Sequence, residues 1–415
     1  MKGKWRRILI VDCGEIITGA TPPTATTLYW GGKYNFYTPA DFGRTKYCYK
    51  TERAVTEAGV QKGRKIPEKS ILFTCIASVG KMAIAGKEGI TNQQINTIVV
   101  NDKFYYNYIY YVLLFNSEQI QRMAPLTSVP IINKTEFENI QLWICNERHD
   151  QQHIADILTS CDEVIEQTEK AIEKYRAIKA GMLQDLFTRG VDANGKLRPK
   201  PEDAPELYKD SPLGKIPKEW EIKTIGQCCS EPMYGLNAPA IPFDQKHRYI
   251  RITDISDISH KYLKDDVVSP AFYSDQYLVA EGDILFARTG ASVGKTYIFD
   301  PCDNPLYFAG FLIRFRVNQD YNPYYIFYQT ETFVFLNWVS IMSVRTGQPG
   351  VNSTEYSTFQ MPMPSEKSEQ DMIAKRLSAI DTKIETEEQI LAKCRSIKLG
   401  LMKKLLTPPE GALEA

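Results

Sequence analysis

The chain lacks any run close to the roughly 18 consecutive apolar residues that a membrane span needs, and Met1-Lys2-Gly3-Lys4-Trp5 opens no apolar signal segment. Both absences point to the cytoplasm, with no membrane partner. Its nine cysteines include no CxxC pair and its four histidines are scattered, so metal-ligand spacing is missing and the thiols read as reduced and structural. An excess of one charge is missing too. Lys+Arg and Asp+Glu number 50 each, which excludes a protein that holds nucleic acid by bulk electrostatics alone. No nucleophile elbow, HExxH or kinase signature occurs, and no carboxylate pair is singled out by its spacing.

What is present is a duplication. Asp150–Thr188 aligns without a gap on Glu369–Thr407, and 15 of the 39 positions are identical, among them Gln151/Gln370, Asp162/Asp381, Lys179/Lys398 and Gly181/Gly400. Asn133-Lys-Thr-Glu136 meets Asn352-Ser-Thr-Glu355 at the same offset, and Ile71-Leu-Phe…Ala77-Ser-Val-Gly-Lys81 matches Ile284-Leu-Phe…Ala291-Ser-Val-Gly-Lys295. Each copy reads as a globular part followed by a helix. The boundaries fall at 1–145 (first globular part), 146–190 (first helical region), 191–215 (a Pro- and Gly-rich linker), 216–365 (second globular part), 366–407 (second helical region) and 408–415 (tail).

Apolar residues in the repeated helix step by fours and threes, with a few polar gaps: Ile154, Leu158, Cys161, Ile165, Ile172, Tyr175, Met182 and Leu186 in the first copy, Ile373, Leu377, Ile380, Ile384, Leu391, Cys394, Leu401 and Leu405 in the second. Polar gaps fall at Thr168, Lys179, Glu387 and Lys398. That is a heptad seam. A helix of this length is about 58 Å long at 1.5 Å per residue, and so thin an apolar stripe needs a partner. The second copy is the natural one, packed antiparallel. The predicted fold class is mixed α/β: two globular α/β parts separated by two long helices in an antiparallel coiled coil, with a pseudo-twofold internal repeat. Phe311–Val317 and, less strictly, Arg248–Thr253 alternate as strands do, and Ile95–Val100 is the counterpart of the former. The tyrosines of 108–112 and 325–328 read as core residues of matching helices, against an alternative role stacking on bases.

Charge is unevenly placed. Residues 1–145 hold 18 Lys+Arg against 11 Asp+Glu, a net of +7; residues 216–365 hold 12 against 16, a net of −4. Gly290-Ala-Ser-Val-Gly-Lys-Thr296 looks like a phosphate loop, but three residues separate its glycines where a Walker A loop has four. The better reading is a tight turn after a strand at Asp283–Ala287, which brings Arg288, Thr289, Ser292 and Lys295 to one edge as a phosphate clamp. Candidate nucleic-acid contacts are Arg288, Thr289, Ser292 and Lys295 from this turn, with Arg345 and Gln348 added in the second part and Arg44, Lys46, Ser78 and Lys81 in the first. Asn322-Pro-Tyr-Tyr, similar to a motif of adenine methyltransferases, reads as a turn before a helix.

A variable globular part plus a strongly repeated helix, twice over, resembles the specificity subunit of type I restriction–modification systems. Gln151-Gln-His-Ile-Ala155…Asp162…Lys179-Ala-Gly181 and Gln370…Ile-Ala374…Lys398-Leu-Gly400 are similar to that family's conserved helical regions. Ser211-Pro-Leu-Gly-Lys-Ile-Pro217-Lys-Glu-Trp220 and Gly282-Asp-Ile-Leu-Phe-Ala-Arg-Thr-Gly290 resemble the lead-in and the glycine turn of its target-recognition domains. The first copy departs from the pattern: Cys75-Ile76 stand where Arg288-Thr289-Gly290 stand in the second. The resemblance implies a non-catalytic subunit in which each globular part reads half of a bipartite, asymmetric site in double-stranded DNA. The helices would set the separation of the halves and dock two modification (methyltransferase) subunits. Restriction/motor subunits would join, and S-adenosylmethionine, ATP and Mg would reside in the partners rather than in this chain. The competing expectations are a coiled-coil scaffold with two protein-binding modules, and a nucleotide hydrolase using residues 290–296.

Overall fold

The computed structural model describes residues 5–43, 45–125, 129–344 and 349–409. The chain forms two compact units: Met1–Ala171 together with Glu387–Ala415, and Ile172–Thr386. Neither unit ends where a helix begins. Each takes in one globular part and segments of both long helices, which run over Arg148–Thr188 and Lys367–Leu406.

In the first unit, Trp5–Leu9 pairs antiparallel with Gln141–Cys145. A five-stranded sheet follows in the order Gly14–Thr18, Ile95–Val100, Ile71–Thr74, Met82–Ala85, Tyr47–Cys48. A four-stranded sheet has the order Arg53–Val55, Trp30–Tyr37, Gly89–Thr91, Lys65–Ile66. Ile71–Thr74 is buried on both faces, which explains its unbroken apolar run. The helix Tyr106–Met123 covers the larger sheet, and Tyr108 and Tyr111 are fully buried, so they serve packing and not base stacking. Its core continues into Ile154, Ala155 and Leu158 of the first long helix and Met402 and Leu406 of the second.

The second unit repeats this plan. Asp283–Ala287 lies between Leu312–Arg316 and Thr296–Ile298, and Met233–Tyr234 completes the sheet beyond Leu312–Arg316. Glu221–Thr224 pairs antiparallel with Gln360–Met363, as the outer pair of the first unit does. The strand expected over Arg248–Thr253 spans only Arg248–Ile250. A 3-10 turn at Ile252–Asp254 ends it, with Asp254 capping the Arg251 N–H at 2.8 Å. Leu183, Leu186 and Phe187 from the first long helix and Ile373 and Leu377 from the second enter its core.

Four of the heptad residues, Ile154, Leu158, Ile373 and Leu377, are thus buried in the cores of globular parts. The opening turns of each long helix carry their apolar face into their own part. Ile172 and Ile384 are also buried, while Ile165 and Leu391 are half-buried. Within the first unit Asp162 meets Lys398 and Glu169 meets Arg395. Within the second, Lys179 meets Asp381, and the Lys383 ammonium lies 5.9 Å from the Tyr175 ring centre. In both units the residue number falls along one helix as it rises along the other, the register of antiparallel segments.

Composition marks 191–215 as a linker, but it holds structure of its own. Tyr208–Ser211 and Gly214–Pro217 make a hairpin. Glu369, 7% exposed, accepts from Val191 N–H at 2.9 Å, Trp220 Nε1 at 3.1 Å and Arg198 Nη1 at 2.5 Å. A buried carboxylate needs such partners, and they tie the segment to the unit. The tail at 410–415 lies outside the described residues. Among the described residues no helix is long and apolar enough to cross a membrane.

Candidate nucleic-acid interface

The glycine turn of the second unit grows from the fully buried strand Asp283–Ala287. Its first residue, Arg288, is pinned on both sides: its N–H donates to Phe311 O at 3.1 Å and its carbonyl accepts from Val351 N–H at 2.9 Å. Gly290, at φ +70°, donates to Pro349 O at 3.0 Å. The Arg288 guanidinium lies 5.1 Å from the Tyr234 ring centre and 5.8 Å from that of Phe311. Its Nε is buried without a partner, and among the described residues no carboxylate pairs with it. Its neighbours differ: Arg251 is held by Asp254 and Asp266, and Arg316 by Asp283.

Arg288 faces a cleft of about 870 Å³ whose lining includes Tyr234, Asn237, Tyr249, Arg251 and Phe311. Phe311 is 55% exposed and Tyr234 40%. A cation held between aromatic faces loses little freedom on binding and presents its outer N–H groups as a fork. That suits a phosphate oxygen pair or a base edge. The burial of the Tyr234 hydroxyl would raise its pKa, but hydrogen bonds from Ser353 and the Arg288 charge outweigh it and hold the group below the usual tyrosine range.

The other clamp candidates are placed differently. Lys295 is engaged, with Nζ 2.6 Å from Asp257 and 3.4 Å from Ile255 O. Ser292 closes the turn by accepting from Lys295 N–H at 3.0 Å, and Thr289 bridges to Gly350 through its backbone. Arg345, Gln348 and Arg44 lie outside the described residues. In the first unit the turn is one residue shorter, since Thr74 pairs with Lys81 where Ala287 pairs with Lys295. Ala77, at φ +64°, takes the place of Gly290 and donates to Pro130 O. Cys75, where Arg288 would be, is a buried thiol pushed up to about 12 by burial. Lys81 is exposed and Ser78 half-buried at this turn. Lys46 turns inward and donates to Tyr111 Oη at 3.0 Å and Thr159 Oγ1 at 2.9 Å.

Two further clusters of cations and rings escaped the sequence reading. In the second unit Asp244 accepts from the Lys246 and His247 N–H groups at 2.8 and 2.7 Å. That holds Lys246-His247 in a turn just before the strand Arg248–Ile250, where the His247 ring stacks on Tyr273 at 4.1 Å. Phe272 and Tyr273 are about half exposed beside it. In the first unit Arg53 sits 3.6 Å from the Trp30 ring centre, and Lys33 and Lys65 lie 5.1 and 5.2 Å from that of Tyr34. The available signals were the basic run 246–248 between aromatics and the net positive first part. Neither carries a motif. Asn322 caps the helix Pro323–Gln329 by accepting from Tyr325 N–H at 3.0 Å, so the methyltransferase-like tetrapeptide is the N-cap and opening turn of that helix and not a turn ahead of it.

The family model described as "Type I restriction modification DNA specificity domain" matches residues 2–174 and 217–395. The chain is similar to the type I restriction enzyme MjaIX specificity subunit of Methanocaldococcus jannaschii, 28% identical over 71% of this chain and 68% of that one. It is also similar to the MjaVIII specificity subunit of the same organism, 24% identical over 82% and 79%. Among solved structures, a type I restriction–modification S subunit from M. genitalium matches with a TM-score of 0.65 at 15% identity, covering 98% of this chain and 97% of that one, a likeness of fold. With both copies of the repeat matched by the family model, the chain belongs to the type I restriction–modification DNA specificity family.

Proposed function

We propose that this chain is the DNA sequence-specificity subunit of a type I restriction–modification complex and recognises a bipartite, asymmetric site in double-stranded DNA. Each unit reads one half-site. The long helices act as an antiparallel coiled-coil spacer and dock two modification subunits, with restriction/motor subunits joining for cleavage. The chain itself is non-catalytic and acts in the cytoplasm. The partners carry S-adenosylmethionine, ATP and Mg.

The observation that carries this reading is Arg288, a cation held against two aromatic rings with no carboxylate partner among the described residues, in the lining of an aromatic cleft in a member of this family. The Arg53–Trp30 contact on the first unit and the half-exposed Phe272 and Tyr273 beside His247 on the second support it. The unlike surfaces of the two units support asymmetry, because two different readers select two different half-sites. Two readers on one face of B-DNA need a spacing on the order of one helical turn, about 34 Å, which helices of 41 and 40 residues supply.

The test is equilibrium binding of the chain with its modification subunits to a library of duplexes at fixed salt. The reading predicts a discontinuous motif enriched at least about 10³-fold over random duplex. Equal affinity for all duplexes would leave the protein-binding scaffold as the function.

A further inference from the structure

The same three side chains meet in each unit. In the first, Tyr111 Oη donates to Asp162 Oδ2 at 2.6 Å, Lys398 Nζ binds Asp162 Oδ1 at 2.5 Å, and the ammonium lies 5.7 Å from the Tyr111 ring centre. In the second, Tyr328 Oη donates to Asp381 Oδ2 at 2.8 Å, Lys179 Nζ binds Asp381 Oδ1 at 2.7 Å, and its ammonium lies 5.3 Å from the Tyr328 ring centre. Each cluster joins three parts of one unit: the helix that covers the sheet, the opening half of one long helix, and the closing half of the other. Asp and Lys occupy the repeat positions 162/381 and 179/398, and both lysines interrupt the apolar seam.

We infer that these Tyr–Asp–Lys clusters are positioning devices: each holds a reading domain at a fixed angle and register on its helical segments, and so enforces the spacing of the half-sites. The inference rests on the proposed DNA-reading function. An apolar seam alone tolerates sliding and rocking, because dispersion and burial have no direction. A shielded ion pair adds little net stability over apolar residues of similar volume, and its best attested use is to specify register. Here all four charged side chains are a quarter exposed or less. Both carboxylate oxygens are committed, one to the domain and one to the opposite helix. A shift of the aspartate-bearing segment by one residue, about 1.5 Å along the helix, would strain both bonds together.

The two clusters also differ. Lys46 adds a cation to the first through its bond to Tyr111 Oη, and Glu331 adds an anion to the second by pairing with Lys179. The two junctions are therefore not interchangeable in charge.

The experiment uses the chain with its modification subunits and duplexes carrying the wild-type motif with its native spacer, or one base pair more or less. The readout is the ratio of methylation between spacers, which is insensitive to how much protein is folded. Y111F and Y328F remove one hydroxyl each, and each is expected to lower the preference for the native spacer by roughly tenfold, the scale of one hydrogen bond to a charged group. D162N/K398M, which removes both ends of the ion pair at once, should do the same. Unchanged spacer ratios in all three variants, whatever the loss in total activity, would overturn the inference. A wild-type protein with no discontinuous motif would instead overturn the function on which it rests.

Discussion

Lys46 illustrates what a single residue can conceal in sequence. A lysine beside Arg44 in a positively charged part reads as a DNA contact, yet its amine lies against Tyr111 and Thr159, and burial lowers its pKa to about 8, against the opposing pull of Asp162. Below pH 8 the folded state must keep this ammonium charged in a partly dry site, whereas the unfolded chain keeps its pKa near 10.4. Between those values the unfolded state holds more protons, so wild-type stability gains as pH rises through that window. K46M abolishes that gain. Thermal melting from pH 7 to pH 10 should show the Tm of K46M minus wild type falling steadily; a constant difference would contradict the burial. Arg288 makes the opposite case. It is exposed to a cleft and unneutralised, and R288A is expected to weaken DNA binding by about 1–3 kcal/mol. A phosphate contact would weaken all sequences alike and reduce the salt slope by about one, while a base contact would relax one position of the second half-site. No loss by either measure would remove Arg288 from the interface.

At the scale of elements, the repeat made the architecture legible. Identical residues at constant offset located both long helices, and the Asn133/Glu136 and Asn352/Glu355 pairs proved to be capping boxes of matching short helices. Gln151 and Gln370 keep their places because each accepts from the N–H at the start of a domain helix, Tyr105 and Asn322, at 2.9 Å. The destination of the heptad residues was not legible. A period of three and four gives the buried face but not what lies against it, and Leu158 and Leu377 proved fully buried in domain cores. L158A and L377A should each cost about 2–5 kcal/mol by calorimetry or denaturation, well above the value for a helix-surface position; under 1 kcal/mol would argue against this packing. The order in 191–215 was also hidden, because Pro and Gly report where a chain turns and not what it rests on. Its anchor is Glu369, a residue distant in sequence. E369A leaves Arg198 and the Trp220 N–H without their acceptor and is expected to cost about 3–5 kcal/mol, with proteolysis of 191–215 as the direct check. Cleavage no faster than wild type would show the anchor to be unnecessary.

For the whole molecule, duplication followed by divergence explains why family and plan were readable while the contacting residues were not. Framework residues are kept by packing that both copies share, whereas the exposed loops differ between the copies and carry no shared motif. The spacer gives the most quantitative expectation. One heptad inserted after Ala171 and another after Thr386 preserves the apolar period and lengthens each helix by about 10.5 Å, close to three base pairs at 3.4 Å each. Duplex selection should then return the same half-sites with a spacer about three base pairs longer. An unchanged spacer would show that the helices do not measure it.

The most direct test of the central claim is genome-wide mapping of methylated adenine in cells with this chain and in cells lacking it. The account predicts one motif that depends on the chain, made of two unlike half-sites at a fixed separation. A palindromic or continuous motif, or a methylation pattern that does not change when the chain is removed, would contradict it.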